Sequence, residues 1–167
     1  TSAVSSADIA QGLANVASVS HTVGNSLEET VGMLTAMVET TRSASKSSRG
    51  LTQISTRLIQ TLDDASSTGE KLRGIYEGLG VEIYDSNGQL KSSFDILSQL
   101  AEHWNDLSEN EQKYIALTSS GANQINNFTA LMNNFDKAIE ATETAYMSAG
   151  SAAQENERYM QSINAQV

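Results

Sequence analysis

The side chains that could perform acid–base or metal chemistry are few, and their spacing does not bring them together. His21 and His103 lie on different predicted helices, and neither has a ligand-type residue four positions further on. Zinc sites and catalytic dyads need such partners on a shared face. The paired carboxylates Glu28–Glu29 and Asp63–Asp64 fall at helix ends, where they complement a helix N-terminus or are hydrated. Because there is also no cysteine, we expect a protein that is not an enzyme.

Two short motifs have the composition of binding loops but lack the residues that would bind. The glycine-rich segment 74–80 precedes an extended segment, whereas a dinucleotide-binding loop follows a strand and opens a helix. Asp85, Asn87 and Gly88 are spaced as in a calcium loop, but Ile96 occupies the position of the bidentate glutamate. The sequence therefore predicts neither a cofactor nor a metal ion.

The charge is acidic and unevenly distributed. The formal net charge is -10; residues 1–80 carry 6 basic and 8 acidic groups, and residues 81–167 carry 4 and 12. Binding to nucleic-acid phosphates needs clustered Lys and Arg, so this balance disfavours specific nucleic-acid binding. The basic residues of the first half stand among Ser and Thr, and we interpret them as a solvated face or loop: Arg42, Lys46, Arg49 and Arg57.

The sequence carries no sign of membrane insertion or secretion. No apolar run is long enough to span a bilayer, and no basic start precedes an apolar stretch. Because the first residue is Thr1 and not Met, we expect a piece of a longer protein.

Apolar residues recur at helical spacing, and the absence of proline favours uninterrupted helices. Residues 1–68 are predicted to form an N-terminal segment of three helices. The first starts after Ser6 and stops near Gly24, and the second begins at Ser26, which has the capping-box spacing to Glu29. The polar residues 39–50 are predicted to connect the second helix to a third, whose apolar face is Leu51, Ile54, Leu58 and Leu62.

Residues 69–91 are predicted to be a Gly-rich connection with a short β-hairpin or an extended turn near 81–91. Val81 and Ile83 alternate with polar residues, which is the period of a half-buried strand. The dipeptide Asn87–Gly88 favours a tight hairpin turn, in which both central residues adopt positive φ.

Residues 92–167 are predicted to form a C-terminal helical segment. One helix begins at Ser92 or Ser93 and carries Trp104; the next has a capping-box spacing at its start and ends near Gly121. From residue 125 onward, apolar residues follow steps of three and four, as in a coiled-coil seam. A break at Gly150 is left open.

This stripe has two interpretations that the sequence leaves open. It could pack inside its own chain, or it could form a seam between subunits. The fold class is predicted as all-α, with helices in hairpins or an elongated bundle and a coiled-coil-like C-terminal helix. The candidate self-association residues are Ile125, Phe128, Met132, Phe135, Ile139, Tyr146, Met160 and Ile163.

Residues 79–156 contain several local motifs in a characteristic order. These motifs are an extended segment and turn, a Trp-bearing helix, a Gly–Gln corner and a small-residue break ahead of Glu155–Asn156. The matching residues include Gly80, Asp85, Gly88, Trp104, Gly121, Gln124 and Gly150. This order resembles the tape measure protein family of long-tailed bacteriophages and prophages. Ala122–Asn123 departs from that pattern, since family members often carry a basic residue before the Gln.

The resemblance implies a structural role and a set of partners. Tape measure proteins lie in the lumen of the tail tube, set its length during assembly and leave ahead of the DNA at infection. Several copies, commonly three, run together. The implied partners are further copies of the chain, the tail tube protein, tail-assembly chaperones and tail tip proteins. The implied location is the virion, and the bacterial cytoplasm during assembly.

Two alternatives accompany this interpretation. A bacterial secreted or filament-forming helical protein, of flagellin or secretion-substrate type, shares the richness in Ser, Thr, Asn and Ala and the lack of Cys. Such a protein would not need the turn at 80–88 before a Trp-bearing helix. A cell-wall hydrolase module is disfavoured because no His or Cys constellation is present.

Overall fold

A computed structural model describes the backbone of residues 6–165 and the side chains of residue 7 and of 13–150 other than 15 and 18. Over these residues the fold is all-α, which confirms the predicted class. A short 3-10 turn, Ala122–Gln124, lies between the sixth and seventh helices. The α-helices are α1 Ser6–Thr22, α2 Leu27–Thr41, α3 Ala44–Asp63, α4 Ser67–Gly78, α5 Ser93–Trp104, α6 Glu109–Ser120, α7 Ile125–Asn133 and α8 Phe135–Ala165.

The predicted capping boxes at the starts of α2 and α6 are confirmed. At α2, the Ser26 hydroxyl accepts a hydrogen bond from the Glu29 backbone N–H at 3.0 Å, and the Glu29 carboxylate accepts one from the Ser26 N–H at 2.8 Å. Ser108 and Glu111 make the same reciprocal pair at 3.2 and 3.0 Å. These bonds satisfy backbone donors that a helix start otherwise leaves unpaired. They also hold the pKa of the Glu111 carboxyl below its usual range.

One apolar cluster contains buried side chains from α1 to α8. The predicted apolar face of α3 is confirmed, since its four residues are at most 1% exposed. Aromatic rings contribute two contacts. The Trp104 and Phe128 ring centroids are 5.8 Å apart, and those of Phe94 and Phe135 are 5.3 Å apart. Burial of this cluster is the main favourable contribution to folding.

The connection predicted over residues 39–50 is wrong. Only residues 42 and 43 separate α2 from α3, and Arg42 makes the turn with a φ of 59°. Ser47 and Ser48 are buried in the first turns of α3. At Gly50 a Cβ would lie 2.9 Å from Asn127 Nδ2 and 3.1 Å from Met37 Cε. The segment is rich in small residues because its neighbours lie close, and that pattern was misinterpreted as a linker.

The segment predicted as a Gly-rich connection, residues 69–91, begins inside a helix, because α4 continues to Gly78. Helix α4 presents Leu72 and Tyr76 to the core, and the Tyr76 hydroxyl hydrogen-bonds the Ser119 hydroxyl of α6. Burial raises the pKa of the Tyr76 phenol above its ordinary value. The glycines lower the helix propensity of this segment, so the sequence does not predict α4. The stability of α4 comes from packing and not from helix propensity. The division of the chain into segments 1–68, 69–91 and 92–167 stays a prediction.

The β-hairpin predicted near 81–91 is also wrong, since no strand occurs among the described residues. A single antiparallel bridge joins Tyr84 and Leu90. The Asp85 carboxylate closes the turn by accepting hydrogen bonds from the backbone N–H groups of Asn87 (2.8 Å) and Gln89 (3.0 Å). Within the turn only Gly88 has positive φ (77°). The alternation at 81–83 arises because Val81 and Ile83 are drawn into the helical core, not because they belong to a sheet.

The C-terminal stripe is interrupted once, but not where the sequence left a break open. Asn134 separates α7 from α8, and α8 continues through Gly150 to Ala165. The break that the sequence left open at Gly150 does not occur, and the small-residue segment 149–152 is helical. A single glycine costs a helix about 1 kcal/mol relative to alanine, which a long helix tolerates.

A buried asparagine links the α1–α2 corner to the start of α5. Asn25 is 5% exposed; its Nδ2 donates to Ser93 Oγ at 2.8 Å, and its Oδ1 accepts from the Phe94 N–H at 2.9 Å. Asn25→Ala leaves both partners unsatisfied, so we expect it to lower the free energy of unfolding by about 1–3 kcal/mol. Urea denaturation followed by circular dichroism measures this. The control Asn126→Ala, at an exposed position of α7, should change it by less than about 0.5 kcal/mol. Equal effects of the two substitutions would contradict the assigned role.

Candidate interaction surfaces

The residues singled out from the turn and corner motifs lie in four separate places. Gly80, Asp85, Asn87 and Gly88 belong to the exposed segment between α4 and α5. Trp104 is the last residue of α5, Gly121 lies between α6 and the 3-10 turn, and Gly150 lies within α8. These residues therefore do not assemble one site; all but Gly150 lie at or between helix ends.

Trp104 is 1% exposed and packs against Phe128 of α7. Its backbone carbonyl accepts a hydrogen bond from Gln112 Nε2 of α6 at 2.7 Å. The side chain and backbone of one residue therefore join α5, α6 and α7. This is a structural role, and it explains why a single Trp stands at this position.

The predicted self-association stripe divides into two parts. Phe128, Met132 and Phe135 are buried in the core of their own chain, and Ile125 is partly buried. Ile139 and Tyr146 are 39% and 48% exposed. The side chains of residues 160 and 163, the last two of the stripe, lie outside the described residues. The stripe up to Phe135 therefore packs inside the chain, and association through the rest stays a prediction.

Helices α2 and α8 pack as an antiparallel pair with small residues at their centre. A Cβ built on Gly32 would lie 2.0 Å from Thr142 Oγ1 and 2.4 Å from the Ala138 carbonyl oxygen. The buried Thr142 hydroxyl is satisfied because it donates to that carbonyl at 2.7 Å. A polar residue can thus occupy the apolar stripe of α8 at its closest approach to α2.

The two ends of this helix pair are held by polar contacts. The hydroxyls of Ser26 and Tyr146 hydrogen-bond at 2.7 Å, and at the other end Lys137 Nζ lies 3.7 Å from Glu39 Oε2. Sequence reasoning missed the pair. The available signal was Gly32 itself, because glycine inside a helical pattern weakens the helix and usually has a packing reason.

A basic surface lies on α3. We define the basic face as Lys46, Arg49, Gln53 and Arg57, all exposed on successive turns of that helix. Gln53 accepts a hydrogen bond from Gln124 Nε2 at 2.6 Å, and Gln124 Oε1 in turn accepts one from Asn127 at 2.8 Å. Within the part of the chain that the structure describes, the three cations of this face take part in no ion pair.

The basic face borders grooves lined by amides and hydroxyls. The largest has a volume of about 420 Å³ and lies between α3 and the corner at residues 120–124. Gly121 has a φ of 89°, and the Arg57 stem lies 3.4 Å from where its Cβ would be. Two adjoining depressions of about 380 and 260 Å³ extend along α3 past Arg49. Most of the side chains that line these grooves are polar or charged.

Two kinds of site are not found among the described residues. No group of three or more His, Asp or Glu side chains is arranged to hold a metal ion. None of the described helices has the length and apolar character needed to cross a bilayer.

Comparison with known proteins shows the family of this chain. Residues 1–121 match the family model of the phage-related minor tail protein. The chain is also 27% identical over 154 residues to the tape measure protein of Pneumococcus phage Dp-1, a match that covers 92% of this chain and 13% of that protein. No solved structure matches. The chain belongs to the phage-related minor tail protein family and is a structural component of a phage tail, and hence of the virion.

Proposed function

We propose that this chain is a folded module of a tape measure protein, the protein that sets tail length during assembly of the tail tube. The supporting observations are the ordered motifs between residues 79 and 156 and the likeness to the Dp-1 tape measure protein over 92% of the chain. Because the chain spans 13% of that relative, the activity of the whole protein is itself part of the proposal. Membership of a tail family favours this role over a secreted or filament-forming bacterial protein.

The antiparallel packing of α2 and α8 is the observation that supports a folded module over a measuring rod. A measuring rod converts residues to distance at about 1.5 Å per helical residue. Here the chain turns back on itself, so that Tyr146 meets Ser26 and Lys137 meets Glu39. The length of this segment along any one axis is therefore not proportional to its number of residues.

The proposed setting follows from the family likeness. In it the module lies in the lumen of the tail tube, associates with further copies, as a trimer in the simplest case, and contacts the tail tube protein and tail tip proteins. Tail-assembly chaperones meet it in the bacterial cytoplasm, and it leaves the tube ahead of the DNA. The role is structural and not enzymatic, which agrees with the scattered positions of its two histidines.

An in-frame deletion of residues 27–150 distinguishes a folded module from a segment that measures tail length. If the segment is a folded module, the deletion should abolish tail assembly or leave tail length unrelated to the number of residues removed. A rod would instead shorten the tail by about 190 Å, at about 1.5 Å per residue. Electron microscopy of tails from the phage measures this. A deletion of equal size elsewhere in the full-length protein is the control, and proportional shortening by both deletions would contradict the proposal.

A further inference from the structure

The basic face of α3 is a positive surface in an acidic chain. No Asp or Glu occurs between residues 40 and 62, and no charged residue of either sign occurs between 114 and 135. The first range contains α3 up to its last turn. The second contains the corner at residues 120–124, which packs beside α3. Among the described residues no carboxylate pairs with the cations of this face, although the chain as a whole carries a net charge of -10.

Helix α8 presents a surface of opposite character on its outer side. We define the acidic face as Asp136, Glu140, Glu143 and Met147, which follow steps of four, three and four residues and so share one side of the helix. All four are exposed, Met147 by 74%. Ile139 lies at the edge of this face and is 39% exposed. No carboxylate of this face forms an ion pair among the described residues.

We propose that the basic face of α3 binds the acidic face of α8 in a second copy of this chain. Along α3, Lys46, Arg49 and Gln53 are separated by three and then four residues. Along α8 in the reverse direction, Glu143, Glu140 and Asp136 are separated by the same steps. Two antiparallel helices therefore place the three pairs opposite one another, since each step of three or four residues rises about 4.5 or 6 Å.

The pairing combines charge with apolar contact. Two pairs join a cation to a carboxylate, and in the third the Gln53 amide donates to Asp136. Met147 lies one turn beyond Glu143 on α8, where the aliphatic stem of Lys46 can reach it. An exposed pair of this kind contributes little alone, so the contact depends on the matched series and weakens with salt.

Because the two faces are different surfaces of one chain, the contact is heterologous. Each copy offers one basic and one acidic face, so the copies form a closed ring or an open chain, depending on the rotation between them. The pairing of the two faces is argued from charge and spacing. Its role as a contact between neighbouring copies in the tail rests on the proposed function. A polyanion such as DNA is the competing ligand, but the carboxylate spacing on α8 favours a second copy.

Charge-reversal variants test the contact in solution. One variant carries Lys46→Glu and Arg49→Glu, and the other carries Glu140→Lys and Glu143→Lys. All four positions are exposed, and circular dichroism checks that the fold is kept. In sedimentation equilibrium at about 50 mM salt, we expect the unmodified chain to self-associate and each variant alone to bind itself at least about tenfold more weakly. Lys113→Glu, an exposed cation of α6, is the control and should leave association unchanged.

Mixing the two variants gives the decisive result. The acidic α8 face of the first variant and the basic α3 face of the second are both native, so the mixture should associate although neither variant does alone. A monomeric unmodified chain, unchanged association of either variant, or a mixture that stays monomeric would overturn the proposal. It would also be overturned if the α3 variant lost binding to duplex DNA while its self-association was unchanged. None of these results depends on tail length, so they are independent of the deletion test of the proposed function.

Discussion

Gly32→Ala is expected to separate α8 from α2 and to lower the free energy of unfolding by about 3 kcal/mol. The new methyl group would lie 2.0 Å from Thr142 Oγ1 and 2.4 Å from the Ala138 carbonyl oxygen. A side chain can rotate away, but the carbonyl belongs to the α8 backbone, so the two helices must move apart. Urea denaturation measures the loss, and hydrogen exchange of α8 amides reports whether that helix has come away from α2.

The control for this substitution is Gly74→Ala in α4, where a Cβ would meet nothing within 4 Å. Alanine is the better helix former by about 1 kcal/mol, so this change should stabilise the protein. The same substitution in two helices should therefore have opposite signs. If Gly32→Ala also stabilised the protein, the close approach of α2 and α8 would be contradicted.

Trp104→Ala is expected to lower the free energy of unfolding by about 3–5 kcal/mol. The ring is 1% exposed and packs against Phe128, so its removal leaves a large cavity where α5, α6 and α7 meet. Because Trp104 is the only tryptophan, circular dichroism must replace fluorescence as the probe of unfolding.

Trp104→Phe is the matched variant, and we expect it to cost clearly less than the alanine substitution. The indole Nε1 has no hydrogen-bond partner among the described residues, so a phenyl ring loses volume but no hydrogen bond. Similar losses for the two variants would show that cavity size does not decide stability at this position.

The features that could be predicted from sequence are local ones. The capping boxes at Ser26 and Ser108 need only a residue and its third neighbour, and the buried face of α3 needs only a helical repeat. Both can be recognised from residues a few positions apart, so the pattern and the structure agree. A turn is present at Asn87–Gly88, as the dipeptide predicts, although hydrogen bonds to the Asp85 carboxylate close it and not a strand pair.

The features that could not be predicted depend on partners distant in sequence. Nothing near Ser47 or Gly50 indicates that Met37 and Asn127 lie against that turn, so a packed helix start was interpreted as a linker. The stripe from residue 125 onward keeps its three–four spacing across Asn134, so the pattern hides the break between α7 and α8. The pairing of Gly32 with Thr142 spans more than a hundred residues, and only the interior glycine pointed to it.

The division of charge between two faces was visible in part. The excess of acid after residue 80 and the basic cluster of α3 can both be counted from the sequence. Which side of α8 is exposed could not be predicted, because that depends on α2 covering Ala138 and Thr142 and leaving Glu140 and Glu143 outside.

Small-angle X-ray scattering of the chain tests most directly the claim that it is a folded module. At high salt, where association through charged faces is suppressed, we predict a radius of gyration of about 15–20 Å, the value for a compact chain of this length with one long helix. A continuous helix of 167 residues would be about 250 Å long, with a radius of gyration near 70 Å. A value close to that of the rod would contradict the antiparallel packing of α2 and α8.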